Sequence, residues 1–157
     1  LGANDTLRAR VDAPPPLEPA QLGPLLQRRW MFINVWRSVS DAPVERFPLA
    51  LADAASVSSV DLVTFEIRYA DRIGENYFAR HSPSHRWTYF PALTKDEAVL
   101  IKCWDSRGRD FAAQHTLDAG APTVPATFSL HSGFDDPATR EDAPDRESIE
   151  VRCIVIY

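Results

Sequence analysis

The sequence predicts an all-β domain, a β-sandwich or small jelly-roll barrel. Three observations predict it. Short runs rich in aromatic and β-branched residues recur along the chain with period-two alternation. Proline is plentiful at 13 and glycine scarce at 6, which suits short strands joined by stiff turns better than long helices. At 157 residues, 45% apolar and 25% charged, the chain has the length of one domain and enough apolar surface to bury a core.

The opening segment stands apart from the rest. Asn4-Asp5-Thr6 reads as a turn and Pro14-Pro15-Pro16 as a stiff polyproline connector. Glu18 to Arg29 reads as a short helix, with Pro19 near its first position and Arg28 and Arg29 at the end where the helix dipole favours cations. Residues 1–28 are therefore expected to form an arm with a short helix, and 29–157 the core.

Trp30 to Arg37 (WMFINVWR) switches to strand composition, with Phe32, Asn34 and Trp36 on one face. That face predicts Asn34 as a buried, hydrogen-bonded polar group. Phe47 to Ala55 (FPLALADAA) fits a short strand or a turn of helix equally well. Asp61 to Tyr69 (DLVTFEIRY) alternates most cleanly: Val63, Phe65, Ile67 and Tyr69 face one way, Thr64, Glu66 and Arg68 the other. Asn76 to Arg80 and Arg86 to Phe90 read as strands around the turn Ser82-Pro83-Ser84. Thr94 and Glu97 have capping-box spacing, which predicts one helical turn. Ala98 to Trp104, Thr127 to His131 and Ser148 to Tyr157 complete the strands, and residues 105–125 read as a long loop of the kind that often covers a site. The four tryptophans, Trp30, Trp36, Trp87 and Trp104, are expected in the core.

The formal charge of −5 removes the electrostatic basis for nucleic-acid binding. No apolar run is long enough to span a bilayer, and no basic-then-apolar leader opens the sequence. Cys103 and Cys153, each inside a strand-like run, suit a reduced compartment, so a cytoplasmic location is expected. An exposed strand edge would allow a homodimer.

Four histidines, His81, His85, His115 and His131, are the candidate metal donors. No HExxH, paired CxxC, GxSxG, Walker loop or GxGxxG is present, which removes the basis for zinc protease, serine hydrolase, P-loop and Rossmann readings. The segment HSGFDDPATREDAPDRESIEVR, residues 131–152, concentrates the remaining chemistry. His131 is expected to close one strand, and the last strand places Arg146, Ser148, Glu150 and Arg152 on one parity. An imidazole suits iron, and an arginine fork matches a carboxylate. The bland reading is a solvated edge strand, with Arg146 paired to Asp142 or Asp145 and Arg152 to Glu150. Lys102, alternating with Leu100 and Trp104, is either a carboxylate partner inside the barrel or a snorkelling edge lysine. His85, beside Trp87, is expected to have a packing role.

NVWR (34–37), FPLALADA (47–54), HRWTYFP (85–91), T-x-DEAVLIKCWDS (94–106), HSGFDDP (131–137) and RESIEVR (146–152) occur in this order. Together they resemble the CmcJ/AsaB/NvfI-type family, related to the fungal gibberellin desaturase. The resemblance covers roughly Arg29 to Tyr157. It implies a double-stranded β-helix and an Fe(II)- and 2-oxoglutarate-dependent hydroxylase or desaturase acting on a small secondary metabolite. It also implies His131 as the distal iron ligand, with Arg146 and Ser148 holding the far carboxylate of 2-oxoglutarate and Arg152 or Lys102 as further candidates. The family's HxD pair falls on residues 3–5, where Asp5 matches the carboxylate and Ala3 replaces the first His. Family members are usually longer, with an N-terminal portion walling the pocket, so this chain is expected to be the C-terminal core. The alternative is a metal-free jelly-roll protein that binds a small molecule, or a cofactor-independent cyclase or isomerase.

Overall fold

Residue 34 shows how the sequence builds this fold. Asn34 sits among aromatic and β-branched neighbours in a nine-residue strand, and the computed structural model buries it at 2% exposure. The structure describes residues 19–71, 73–108, 124 and 126–157. These form one helix, α1 (Pro19–Leu26), and eight strands. The strands are β1 (Trp30–Ser38), β2 (Leu49–Ala52), β3 (Leu62–Arg68), β4 (Ile73–Ala79), β5 (Trp87–Tyr89), β6 (Val99–Asp105), β7 (His131–Gly133) and β8 (Ser148–Ile156). No helix among the described residues is long and apolar enough to cross a membrane.

Two three-stranded sheets and a two-stranded ribbon follow from the pairing. β1 lies between β6 and β8, and β2 lies between β5 and β7, every pair antiparallel. The ribbon is β3 with β4. The two sheets face each other across one core. Trp36, Val99 and Ile101 from the first meet Leu49 and Leu51 from the second, with Val44 and Leu93 from the connecting segments. Ile101 is completely buried. Period-two burial of this kind fixes register, since a slip by one residue would turn Asn34 and Trp36 to solvent.

Three expectations change. The ambiguous Phe47–Ala55 segment resolves into both of its readings, with β2 followed by a 3-10 turn over Ala54–Ser56 that Asp53 caps. Leu-Ala-Leu-Ala has no strand propensity of its own, and partners on both edges impose it. Residues 127–130 are not a strand, and His131 opens β7 instead of closing its predecessor. That segment crosses between the sheets: the Ser129 N–H donates to the Lys102 carbonyl at 2.8 Å, and the Ala52 N–H to the Leu130 carbonyl at 2.9 Å. A stretch shared between two sheets cannot complete a ladder with either. The capping pair makes only a tight turn, with the Thr94 N–H and hydroxyl both donating to Glu97. These two bonds hold the Glu97 carboxyl below its ordinary value.

The strands flanking residues 82–84 do not pair with each other either. β4 joins β3 and β5 joins β2. Trp36 is in the core as expected, but Trp87 is 43% exposed. His85 is placed beside it, with ring centres 6.4 Å apart. Its Nε2 lies 3.0 Å from Asp61 Oδ2, tying the turn before β3 to the segment before β5.

Candidate active site

Strand β7 is three residues long and carries the imidazole singled out in the sequence. His131 Nδ1 donates to the Ser129 carbonyl at 2.9 Å. A carbonyl only accepts, so in the neutral ring this bond leaves the lone pair on Nε2. Orientation of a metal-binding histidine by a backbone carbonyl at its other nitrogen is the usual supporting arrangement. His131 lines a cavity of about 650 Å³ between the first sheet and the β3–β4 ribbon.

Gly133, two residues on, shares the His131 face of β7. A Cβ built there would lie 3.2 Å from Arg146 Nη1, so the missing side chain makes room for the guanidinium. That guanidinium lies 5.7 Å from the centre of the Trp36 ring and donates to the Phe47 carbonyl. Phe47 has φ of 50°, a left-handed conformation that a bulky residue adopts only when its surroundings impose it. Arg146 is thus held between the two sheets by an aromatic face, a carbonyl and a glycine. It does not pair with Asp142 or Asp145. Arg140 pairs with Asp142 at 3.0 Å, and Arg46 lies 3.6 Å from Asp145.

Asn34 organises the other wall. It stands opposite Arg152 in the β1–β8 ladder, and Trp36 stands opposite Glu150. Its Nδ2 donates to Glu150 Oε1, and its Oδ1 accepts from Arg152 Nε at 3.2 Å. All three side chains line the cavity with His131. A β-bulge in β6 shapes the same wall. The β1–β6 register shifts between Phe32 and Ile33, pairing Phe32 with Trp104 and Ile33 with Lys102, which leaves Cys103 unmatched. Cys103 and Trp104 therefore both face the cavity. Burial raises the Cys103 thiol above its ordinary value, which disfavours the thiolate.

The remaining sequence-predicted residues separate. Of its two readings, Lys102 takes the edge position and not the one inside the barrel. It lies on the opposite face with the exposed Leu100, where Nζ reaches Asp105 Oδ2 at 3.3 Å and the Ala126 carbonyl at 3.5 Å. The bulge is the reason, because it breaks the alternation that had grouped Lys102 with Trp104. Ser148 is exposed at the start of β8 opposite Ser38, outside the cavity lining. Asp5 and His115 lie outside the described residues. Among the described residues no group of three His, Cys, Asp or Glu is placed to hold a metal ion. Sequence reasoning missed Gly133, Phe47 and the ribbon residues Phe65, Asn76 and Phe78. The His-x-Gly spacing was a readable signal for Gly133, but nothing local marks the other four.

Two facing antiparallel sheets with a histidine at an open, aromatic-lined end are the arrangement of a double-stranded β-helix. The chain belongs to the family described as oxidoreductase/YMDC permease-like domain, whose model matches residues 5–156. It is 33% identical over 146 residues to hydroxylase/desaturase asaB of Aspergillus flavus, spanning 85% of this chain and 58% of that protein. It is 33% identical over 133 residues to the Fe(II)/2-oxoglutarate-dependent dioxygenase nvfI of Aspergillus novofumigatus, spanning 83% of this chain and 42% of that one. The solved structure of the iron and alpha-ketoglutarate-dependent endoperoxidase NvfI superposes with a TM-score of 0.71 at 30% identity, covering 88% of this chain and 46% of that one. The chain spans about half the length of the relatives it matches.

Proposed function

We propose that this chain is the jelly-roll core of a non-haem Fe(II)- and 2-oxoglutarate-dependent oxidoreductase that hydroxylates or desaturates a small secondary metabolite. One observation carries the reading: His131 and Gly133 are alternate residues of β7, and the Arg146 guanidinium packs over Gly133, 3.2 Å from where its Cβ would lie. Residues two apart on a strand are separated by roughly 7 Å. A five-carbon dicarboxylate that meets a metal at its keto-acid end and a guanidinium at its far carboxylate has about that reach. His131 Nε2 is the metal donor in this reading. Arg146, with Ser148 nearby in sequence, receives the far carboxylate, and the Trp36 ring and Phe47 carbonyl fix the fork.

The described residues do not by themselves make an iron site. The cavity lining offers one imidazole, His131; Asp5 is a second donor by family resemblance, and Ala3 offers none. Ala3 also favours a second reading, a metal-free jelly roll that binds a small acid, or a cofactor-independent cyclase or isomerase.

An anaerobic titration of the purified chain with Fe(II) and 2-oxoglutarate separates the two. A saturable visible charge-transfer band, abolished in His131→Ala and weakened in Arg146→Gln, is the result expected of the first reading. Correctly folded protein that binds 2-oxoglutarate without a band, and equally well without iron, would favour the second.

A further inference from the structure

The Arg152–Asn34–Glu150 array is not used by that reading, and it faces the same cavity. Arg152 and Glu150 are two apart on β8 and share a face, so the expected outcome is a direct ion pair. Asn34 stands between them instead, bonded to both. Its amide has only one useful orientation here: the nitrogen toward the carboxylate, the oxygen toward the guanidinium. At 2% exposure Asn34 has no room to turn away. Arg152 is held through Nε alone, and both Nη groups remain without a protein partner among the described residues. A cation with two unspent amino groups on the wall of a cavity is a receptor for an anion, and the fork geometry favours a carboxylate.

The rest of the wall says what the anion is attached to. Phe32 and Trp104 come from the first sheet, Phe65 and Phe78 from the ribbon, and Phe128 from the crossing segment. Phe65 and Phe78 already stack on each other at 4.3 Å, and Tyr77 stacks on Phe128 at 5.0 Å. Glu75 and Asn76 add polar groups on the ribbon side, and Glu150 is taken up by the Asn34 amide. Flat aromatic rings around one oriented cation suit a rigid ring system bearing one acidic group. Resting on the assignment of 2-oxoglutarate to Arg146, we infer that Arg152 is the substrate anchor, and that the substrate class is a hydrophobic ring compound carrying a carboxylate. Asn34 is a positioning residue that holds Arg152 away from Glu150 and so keeps its fork open.

The test uses 2-naphthoate as probe and its neutral isostere 2-naphthylmethanol as control, with tryptophan fluorescence reporting binding to the full chain. Wild type is expected to prefer the acid by roughly tenfold or more, the size of a charge-assisted hydrogen-bond pair. Arg152→Gln should erase that preference and leave both alcohol binding and 2-oxoglutarate binding unchanged. Arg146→Gln should do the reverse. Asn34→Leu should lower naphthoate affinity in parallel with Arg152→Gln, whereas Asn34→Gln should restore part of it. An equal affinity for acid and alcohol in wild type, or naphthoate binding unmoved by Arg152→Gln, would overturn the inference alone. Loss of 2-oxoglutarate binding in Arg152→Gln would overturn both this inference and the assignment of Arg146.

Discussion

The guanidinium of Arg146 takes the place of a side chain at Gly133: a Cβ there would sit 3.2 Å from Nη1 and 3.7 Å from the Phe47 carbonyl oxygen. The neighbour that must yield first is the far end of a flexible side chain. Gly133→Ala should therefore be accommodated by a small shift of Arg146. Gly133→Val adds two methyl groups where the fork now lies and should expel it from between Trp36 and the Phe47 carbonyl. Expected by calorimetry is an Ala variant within about threefold of wild type for 2-oxoglutarate and a Val variant weaker by roughly tenfold or more, the worth of a charged hydrogen bond. Equal binding by the Val variant would remove Arg146 from the co-substrate site.

Lys102→Met checks the face that the β6 bulge gives this residue. Nζ serves Asp105 and the Ala126 carbonyl on the outer face. Its removal should cost about 1 kcal/mol or less in a urea melt, because the lysine is partly exposed and Asp105 keeps its arginine. Binding of 2-oxoglutarate should not change. A large loss of binding would return Lys102 to the barrel interior.

These two variants mark what the sequence could and could not tell. Period-two alternation predicted the inner face of β1 correctly, because the core enforces one parity along it; on β8 it placed Glu150 and Arg152 on the cavity wall, while Ser148, on the same parity, lies outside the lining. Asn34, Trp36, Glu150 and Arg152 were legible on that basis. The alternation rule fails where an unpaired residue enters a strand, and Cys103 is such a residue, so Lys102 and Trp104 end on opposite faces and alternation alone could not choose between the two readings of Lys102. β2 and β7 were hard to read for a different reason. Leu-Ala-Leu-Ala and His-Ser-Gly become strands only because other strands flank them, information that is not local. The ribbon's role as a cavity wall is likewise tertiary. Phe65 was legible as a residue on an apolar face, and which surface that face meets was not.

Gly108 predicts a severe local failure. A Cβ there would lie 2.3 Å from Thr127 Cα and 2.6 Å from its Cβ. The obstruction includes backbone, so it cannot be relieved by a rotamer change. Gly108 also bridges to Val124 in parallel and donates its N–H to the Asp105 carbonyl at 2.9 Å, which pins it in place. Gly108→Ala should lose about 2–3 kcal/mol in chemical denaturation, the upper part of the usual overpacking range. Adding Thr127→Ala should rescue only a small part, since the Thr127 Cα and Cβ remain. Full rescue by the double variant would mean that only the hydroxyl matters.

Asp105 supplies the pH-dependent case. Its side chain is fully buried at the end of β6 and accepts from Arg29 Nε at 3.1 Å, Arg29 Nη2 at 2.7 Å and the Arg107 N–H at 3.0 Å. Burial alone would raise this carboxyl; the bonds from Arg29, Arg107 and Lys102 outweigh it and hold the group below its ordinary value. A carboxyl lowered on folding binds fewer protons in the native state than in the unfolded one at acidic pH. Its contribution to stability is thus fully present above the unfolded value of about 4 and is lost as pH falls through the lower folded value. Asp105→Ala should cost about 3 kcal/mol at neutral pH, because it leaves a partly buried Arg29 without its counter-charge. The gap between wild type and Asp105→Asn should be flat from about pH 8 down to pH 5 and narrow below about pH 4. Urea midpoints measured across that range check the sign. A gap that widens on acidification would mean that the native carboxyl is raised, and that burial outweighs the Arg29 fork.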